Sequence, residues 1–69
     1  MSDQEIEKRF TYHPPKEGQP RKYGELRAAV KDLAYLICDH CPPSRERERA
    51  LDKLDEVVML ANAAIARHE

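Results

Sequence analysis

The amino-acid sequence predicts an all-α protein, in which a short N-terminal helix precedes an antiparallel hairpin of two long helices. Two long segments carry apolar residues at spacings of three and four, which is the period of an amphipathic helix. Prolines and a glycine separate the helical segments and indicate loops between them. With 69 residues, the chain fits one helical domain, residues 1–69.

The first predicted helix covers residues 3–9. Ser2 and Glu5 have the spacing of a capping box, in which the serine side chain accepts a hydrogen bond from a backbone N–H at the start of the helix. Pro14, Pro15 and Gly18 then interrupt regular structure. The segment between the first and second helices is therefore predicted to be a loop.

The second predicted helix has about 20 residues and starts near Pro20, because a first helical turn does not need the N–H that proline lacks. Pro42 and Pro43 end it. Its apolar stripe consists of Tyr23, Leu26, Val30, Leu33 and Ile37, with Ala29, Tyr35 and Leu36 beside it.

The third predicted helix begins after Ser44, a favourable N-cap residue. The joint before it is so short that the two long helices must run antiparallel. The segment "LANAAIAR", residues 60–67, is rich in small side chains that allow another backbone or a flat ligand to come close. The apolar stripe consists of Leu51, Leu54, Val58, Ala61 and Ile65, and a second stripe of Val57, Leu60 and Ala64 flanks it.

Chain length and apolar patterning together predict a homo-oligomer. Below about 70 to 80 residues, a single hydrophobic core supplies little stability. A hairpin with apolar stripes on more than one side can bury the second stripe only against another copy. No apolar run approaches the roughly 20 residues that cross a bilayer, so no membrane partner is predicted.

The charge balance argues against duplex nucleic acid as a partner. The sequence has 12 basic and 13 acidic residues and a net charge of -1, which gives no overall attraction to a polyanion. The short joint also lacks helix-turn-helix spacing. The run "RERER", residues 45–49, is interpreted as a solvated and self-paired helix face. Any anion site must be local.

The two cysteines have the spacing of one ligand pair of a zinc site, but the sequence contains no second pair of ligands. They lie in "CDHC", residues 38–41, and the remaining histidines are His13 and His68. We therefore predict no metal and no cofactor, and we expect Cys38 and Cys41 to be buried or partly buried thiols that close a helix. No nucleophile or acid–base motif is visible, so the sequence does not predict an enzyme.

One segment concentrates aromatic and basic residues: "RFTYHPPKEGQPRKYGELR", residues 9–27. An aromatic ring can stack on a base while arginine or lysine binds phosphate, so the mixture suits a small nucleotide. Alternatively, Phe10 and Tyr12 clamp the first helix onto the hairpin. The residues alone leave both interpretations open. The basic members are Arg9, Lys16, Arg21, Lys22 and Arg27.

This segment, followed by "LICDHCPPSRERERALDKLDEVVMLANAAIARHE", resembles the phage anti-CBASS cyclic-oligonucleotide sponges, a family of small helical proteins. The resemblance covers residues 9–69 and rests on the FTYH-Pro segment, the Gly-Gln-Pro turn, the Cys-Pro-x-Ser-Arg junction and the Ala-Asn-Ala-Ala-Ile-Ala-Arg ending. The sequence departs from the family pattern at "HPP", in place of the usual His-Ala-Pro, and at the Cys38–Cys41 pair.

The resemblance implies a homohexamer that captures cyclic dinucleotides and cyclic trinucleotides without cleaving them. Such capture inhibits CBASS antiphage immunity in the cytoplasm of the infected bacterial host. A competing hypothesis is a small helical-hairpin phage or prophage protein that binds a host protein. Thermal unfolding with cyclic nucleotides distinguishes the two, since only the sponge is stabilised by them.

The resemblance also implies which residues bind each ligand. Tyr12 is the base-stacking platform and Arg27 the phosphate partner for a cyclic dinucleotide, with Phe10 and His13 beside them. In a separate pocket, Asn62 and Arg67 are the candidates for a cyclic trinucleotide. The residues themselves offer a simpler interpretation of Arg67, since a basic residue in a last helical turn is favoured by the helix dipole.

Overall fold

The structure, a computed structural model, describes residues 1–69 and contains three helices and no strand. Helix α1 spans Asp3–Phe10, α2 spans Gln19–His40, and α3 spans Arg45–His68. The all-α prediction is confirmed. The second helix has 22 residues.

Helix α1 begins as the capping spacing predicts. The Ser2 hydroxyl accepts a hydrogen bond from the Glu5 N–H at 3.2 Å. Acidic residues occupy the first turn and basic residues the last, which complements the helix dipole. The large apolar side chains of α1, Ile6 and Phe10, are both exposed.

Helix α2 starts after Gly18, whose φ of 85° lies in the left-handed region that glycine adopts without steric strain. Pro20 occupies the first turn, as predicted. At the other end, the Cys41 N–H donates to the Ile37 carbonyl at 2.8 Å, and Pro42 follows directly. Proline chemistry therefore sets both ends of α2.

Helix α3 is capped by Ser44, whose hydroxyl accepts a hydrogen bond from the Arg47 N–H at 3.1 Å. The Arg47 guanidinium also donates to the Cys41 carbonyl at 3.2 Å, which ties α3 to the end of α2. The predicted self-pairing of residues 45–49 is wrong, because no ion pair of the chain includes them. Arg47 instead stabilises the joint between α2 and α3 through its hydrogen bond to Cys41.

Helices α2 and α3 pack antiparallel through their predicted stripes, but no apolar residue is fully buried. The stripe residues are half-buried except Leu33, which lies at the edge of the contact and is exposed. The one buried residue is Gln19, at 3% exposure. A single chain therefore has helix contacts without a hydrophobic core.

The molecule is a flat slab with extents of 45 × 29 × 12 Å. Its smallest extent leaves room for only a single layer of helices, because the axes of packed helices lie about 8 to 10 Å apart. The radius of gyration is 15.3 Å, compared with about 11 Å for a compact domain of this length. Both broad faces of the hairpin are thus open.

One broad face is apolar. Helical periodicity places Leu33 and Leu36 of α2 on the same side of the hairpin as Val57 and Leu60 of α3. All four side chains are exposed, Leu60 to 70%. We call these four residues the apolar face.

The expected burial of the thiols is wrong. Cys38 and Cys41 are both free and exposed, because α3 alone packs against the end of α2 and leaves both thiols open to solvent. No group of three or more potential ligand side chains is close enough to hold a metal ion. None of the helices combines the length and apolarity that a bilayer crossing requires.

Candidate ligand-binding groove

A groove of 440 Å³ lies where the loop after α1 meets the start of α2 and the end of α3. Its volume is typical of small-molecule pockets. Five of the six predicted site residues line it, although they come from three separate parts of the chain. The lining consists of Arg9, Thr11, Tyr12, His13, Tyr23, Arg27, Asn62, Ala63, Ala66 and Arg67.

The predicted site residue outside the groove is Phe10. Its ring is 75% exposed and lies 5.7 Å from the Arg9 guanidinium. Tyr12 does line the groove, yet its side chain is 80% exposed and has no hydrogen-bond partner. Neither ring clamps α1 onto the hairpin, so that interpretation of the two aromatic residues is wrong for the single chain.

Instead, polar contacts satisfy the last turn of α1, and one of them joins it to the hairpin. The last carbonyls of a helix lack partners within it. The Thr11 N–H donates to the Glu7 carbonyl at 3.1 Å. Arg67 Nη2 donates to the Arg9 carbonyl at 3.3 Å, across 58 positions of sequence.

His13 supplies another of these contacts. Its Nε2 atom lies 2.6 Å from the Lys8 carbonyl oxygen. A carbonyl can only accept, so Nε2 carries the proton in this arrangement and Nδ1 remains for another partner. His13 thus joins α1 to the groove and keeps one ring nitrogen for a ligand.

The groove is locally cationic in a chain whose net charge is -1. It contains three arginines, Arg9, Arg27 and Arg67, and no carboxylate. Arg27 is exposed and forms neither a hydrogen bond nor an ion pair, whereas Arg21 of the same helix pairs with Glu25 at 3.0 Å. Arg27 is therefore free to bind an anion.

Tyr23 also lines the groove, although the sequence did not predict it as a site residue. Because Tyr23 belongs to the apolar stripe of α2, it was predicted to be a packing residue. Its side chain is half-buried, which agrees with a packing role. Tyr23 lies four positions before Arg27, hence on the same side of α2 one turn earlier. The four-residue spacing between Tyr23 and Arg27 was the feature of the sequence that could have identified Tyr23 as a site residue.

The small residues of α3 form the other wall. Ala63 and Ala66 lie between Asn62 and Arg67 and leave space above the helix. The Asn62 Oδ1 atom is inaccessible and has no hydrogen-bond partner. A buried acceptor without a donor costs free energy, so a donor that reached Asn62 would stabilise this wall.

A polar latch beside the groove holds the loop against the end of α3. Gln19 Oε1 accepts from the Lys16 N–H at 2.9 Å, and Gln19 Nε2 donates to Glu69 Oε1 at 3.2 Å. Lys22 Nζ also contacts the Glu69 carboxylate. Hydrogen bonds from Lys22 and Gln19 hold the pKa of Glu69 below its usual range. The Gly-Gln-Pro turn is visible in the sequence, but nothing in the sequence indicates this function of Gln19.

Comparison with known families identifies the chain. The sequence model of the Acb2/Tad1 hairpin domain matches residues 2–66, which include all of α1 and α2 and nearly all of α3. The chain belongs to the Acb2/Tad1 hairpin family. This is a family of anti-CBASS cyclic-oligonucleotide sponge proteins, so the resemblance in the sequence is confirmed.

Membership in the Acb2/Tad1 family gives the general function, which is sequestration of cyclic oligonucleotides against CBASS immunity. A sponge protein acts by holding its ligand, and therefore needs affinity rather than a catalytic group. The match includes Tyr12, His13, Arg27 and Asn62, while Arg67 follows just after it. No curated protein and no solved structure matches the chain.

Proposed function

We propose that this protein sequesters cyclic dinucleotides, and also cyclic trinucleotides, without cleaving them, in the cytoplasm of the infected bacterial host. The observation that carries the proposal is the groove, which combines an exposed tyrosine ring with three arginines and no carboxylate. Bases and phosphates need these two kinds of partner. Removal of the free messenger would keep the CBASS effector silent.

For the cyclic dinucleotide, Tyr12 stacks on a base and Arg27 binds a phosphate. Tyr12 suits this role because its ring is open to solvent and not used in packing. Arg27 suits it because no acidic residue neutralises the guanidinium. His13 adds Nδ1 as a hydrogen-bonding atom at the same end of the groove.

Phe10 needs a second copy of the chain to take part. It does not line the groove of its own chain. Its exposed ring projects from the end of α1 and can contact a ligand held by a neighbouring copy. We therefore assign Phe10 to the dinucleotide site across an interface between copies.

For the cyclic trinucleotide, Asn62 and Arg67 are the proposed contacts. Within one chain they share the groove with Tyr12 and Arg27. Separate pockets for the two ligands thus require an assembly that brings together Asn62 and Arg67 from several copies. Arg67 donates one N–H to the Arg9 carbonyl. A guanidinium group has five N–H donors, so the others remain able to bind phosphate.

Self-association into a homohexamer is part of the proposal. The single chain buries no apolar residue and exposes the apolar face, so it lacks the burial that stabilises a folded protein. Contact between copies through this face would supply the missing burial. The number six comes from the resemblance to the sponge family.

The apolar face also supports the competing proposal, in which a host protein covers it. A nucleotide experiment distinguishes the two. The protein is titrated by calorimetry with cyclic di-AMP, cyclic di-GMP and cyclic tri-AMP, then denatured, and the released nucleotide is analysed by mass spectrometry. Sequestration predicts saturable binding and recovery of intact rings. Linear products would contradict sequestration without cleavage, and absence of binding by all three nucleotides would favour a host-protein partner.

A further inference from the structure

The groove continues along the hairpin as a furrow between α2 and α3. A second depression, with a volume of 440 Å³, shares Arg27 with the groove. Lys31 and Asp55 also line it, from α2 and α3 respectively. Its apolar floor consists of Val30, Ala34, Leu51, Leu54 and Val58. Arg27 therefore lies where the two depressions meet, within reach of a ligand in either one.

The four basic residues of α2 fall into two classes. Arg21 pairs with Glu25, and Lys22 pairs with Glu69. Arg27 and Lys31 have no hydrogen-bond or ion-pair partner, although both are exposed and both line the furrow. They are four positions apart, which is about 6 Å along a helix axis and on the same side of it. Two unpaired cations thus follow one another along one wall.

The opposite wall carries the opposite charge. Asp55 of α3 lines the same depression as Lys31 but forms no ion pair with it. A carboxylate there repels phosphate. Anionic groups in the furrow are therefore favoured along α2 and disfavoured along α3.

We propose that Lys31 is a second phosphate-binding residue of the nucleotide site. A cyclic dinucleotide extends from the groove into the furrow with one phosphate at Arg27 and the other at Lys31, and Asp55 keeps both phosphates on the α2 side. This inference rests on the proposed function and gives the dinucleotide its orientation. It also gives the site a preference for ligands with two phosphates over ligands with one.

The test compares cyclic di-AMP with cyclic AMP, which has a single phosphate, on the full chain. Lys31→Gln should weaken cyclic di-AMP binding about threefold to tenfold, the loss expected for one exposed charge contact. It should leave cyclic AMP, measured by competition, unchanged. Arg27→Gln should weaken both. The matched control is Lys53→Gln, which removes a lysine from α3 outside the furrow and should change neither.

Two further variants test whether the effect of Lys31→Gln on cyclic di-AMP binding comes from the lost charge. Lys31→Arg should bind like the wild type, and Asp55→Asn should bind cyclic di-AMP more tightly, because a repulsive group is removed. The deficit of Lys31→Gln should shrink as ionic strength rises. Light scattering of each variant reports whether the assembly is intact.

The outcomes separate this inference from the proposed function. If the wild type binds neither cyclic di-AMP nor cyclic di-GMP, the dinucleotide proposal fails and this one with it. If the wild type binds and Lys31→Gln binds equally well at low salt, only the role of Lys31 is overturned. An equal loss of cyclic di-AMP and cyclic AMP in Lys31→Gln, or a loss that Lys31→Arg does not rescue, would also overturn it.

Discussion

The two broad faces of the hairpin are built from the same two helices and differ in chemistry. The groove face carries Tyr12, Arg27 and Asn62, with free cations and an unpartnered amide oxygen. The apolar face carries only exposed aliphatic side chains. Each long helix uses one stripe to contact the other helix and has a flanking stripe on each side. A single layer of two helices can thus present a polar, cationic face on one side and an apolar face on the other.

The largest expected effect comes from a charge on the apolar face. Leu36→Asp should prevent association and destabilise the chain by more than about 3 kcal/mol, because it removes apolar burial and places a carboxylate at the interface. Light scattering should change from a multiple of 8.0 kDa toward the mass of a single chain.

The control for this variant is Ala28→Asp, which introduces the same charge at an exposed position of α2 outside the apolar face. It should leave the assembly intact. If Leu36→Asp retained the wild-type mass and melting temperature, the apolar face would not be the interface between copies. The two faces would then not differ in the way proposed.

Tyr12→Ala tests the groove face. Loss of a stacking ring should weaken cyclic dinucleotide binding by about 1 to 3 kcal/mol. Assembly should survive, since Tyr12 lies outside the apolar face and is 80% exposed. Calorimetry with cyclic di-AMP and cyclic tri-AMP measures both ligands, and Tyr35→Ala, at another exposed tyrosine, is the control. Equal loss of both ligands with an intact oligomer would argue for one shared pocket.

Arg67→Ala should produce a smaller effect on stability together with a ligand effect. Loss of its hydrogen bond to the Arg9 carbonyl should loosen α1 by about 0.5 to 1.5 kcal/mol. Faster hydrogen exchange confined to α1 would show this. Cyclic tri-AMP affinity should fall, while Arg67→Lys should retain part of it. Unchanged exchange in α1 would mean that this contact does not hold the helix.

The smallest expected effect concerns the latch beside the groove. Because Lys22 and Gln19 lower the pKa of Glu69 below its usual 4.5, the carboxylate stabilises the fold above that pH. This contribution should disappear as the pH falls through the lowered pKa. Melting temperatures across the acid range should show a small extra decline in the wild type that Glu69→Gln lacks. If the melting temperatures of the wild type and Glu69→Gln declined in parallel with pH, the Glu69 carboxylate would not stabilise the fold through the latch.

Local sequence signals predicted the helices and their ends. Ser2, Pro20 and Ser44 act within one helical turn, and the structure places each where its spacing indicates. The aromatic and basic segment also located one wall of the groove. By contrast, the solvent exposure of Cys38 and Cys41 could not be read from spacing, because burial depends on which other element covers a residue.

The sequence by itself therefore determined three helices, their capping, and the segment that forms one side of the site. Only the tertiary structure decided that Arg67 contacts Arg9, that Gln19 is the buried residue, and that Tyr12 and Asn62 face the same groove. The physical reason is the range of the interactions. Helix formation depends on residues within four positions of each other, whereas the groove depends on the register in which α2 packs against α3.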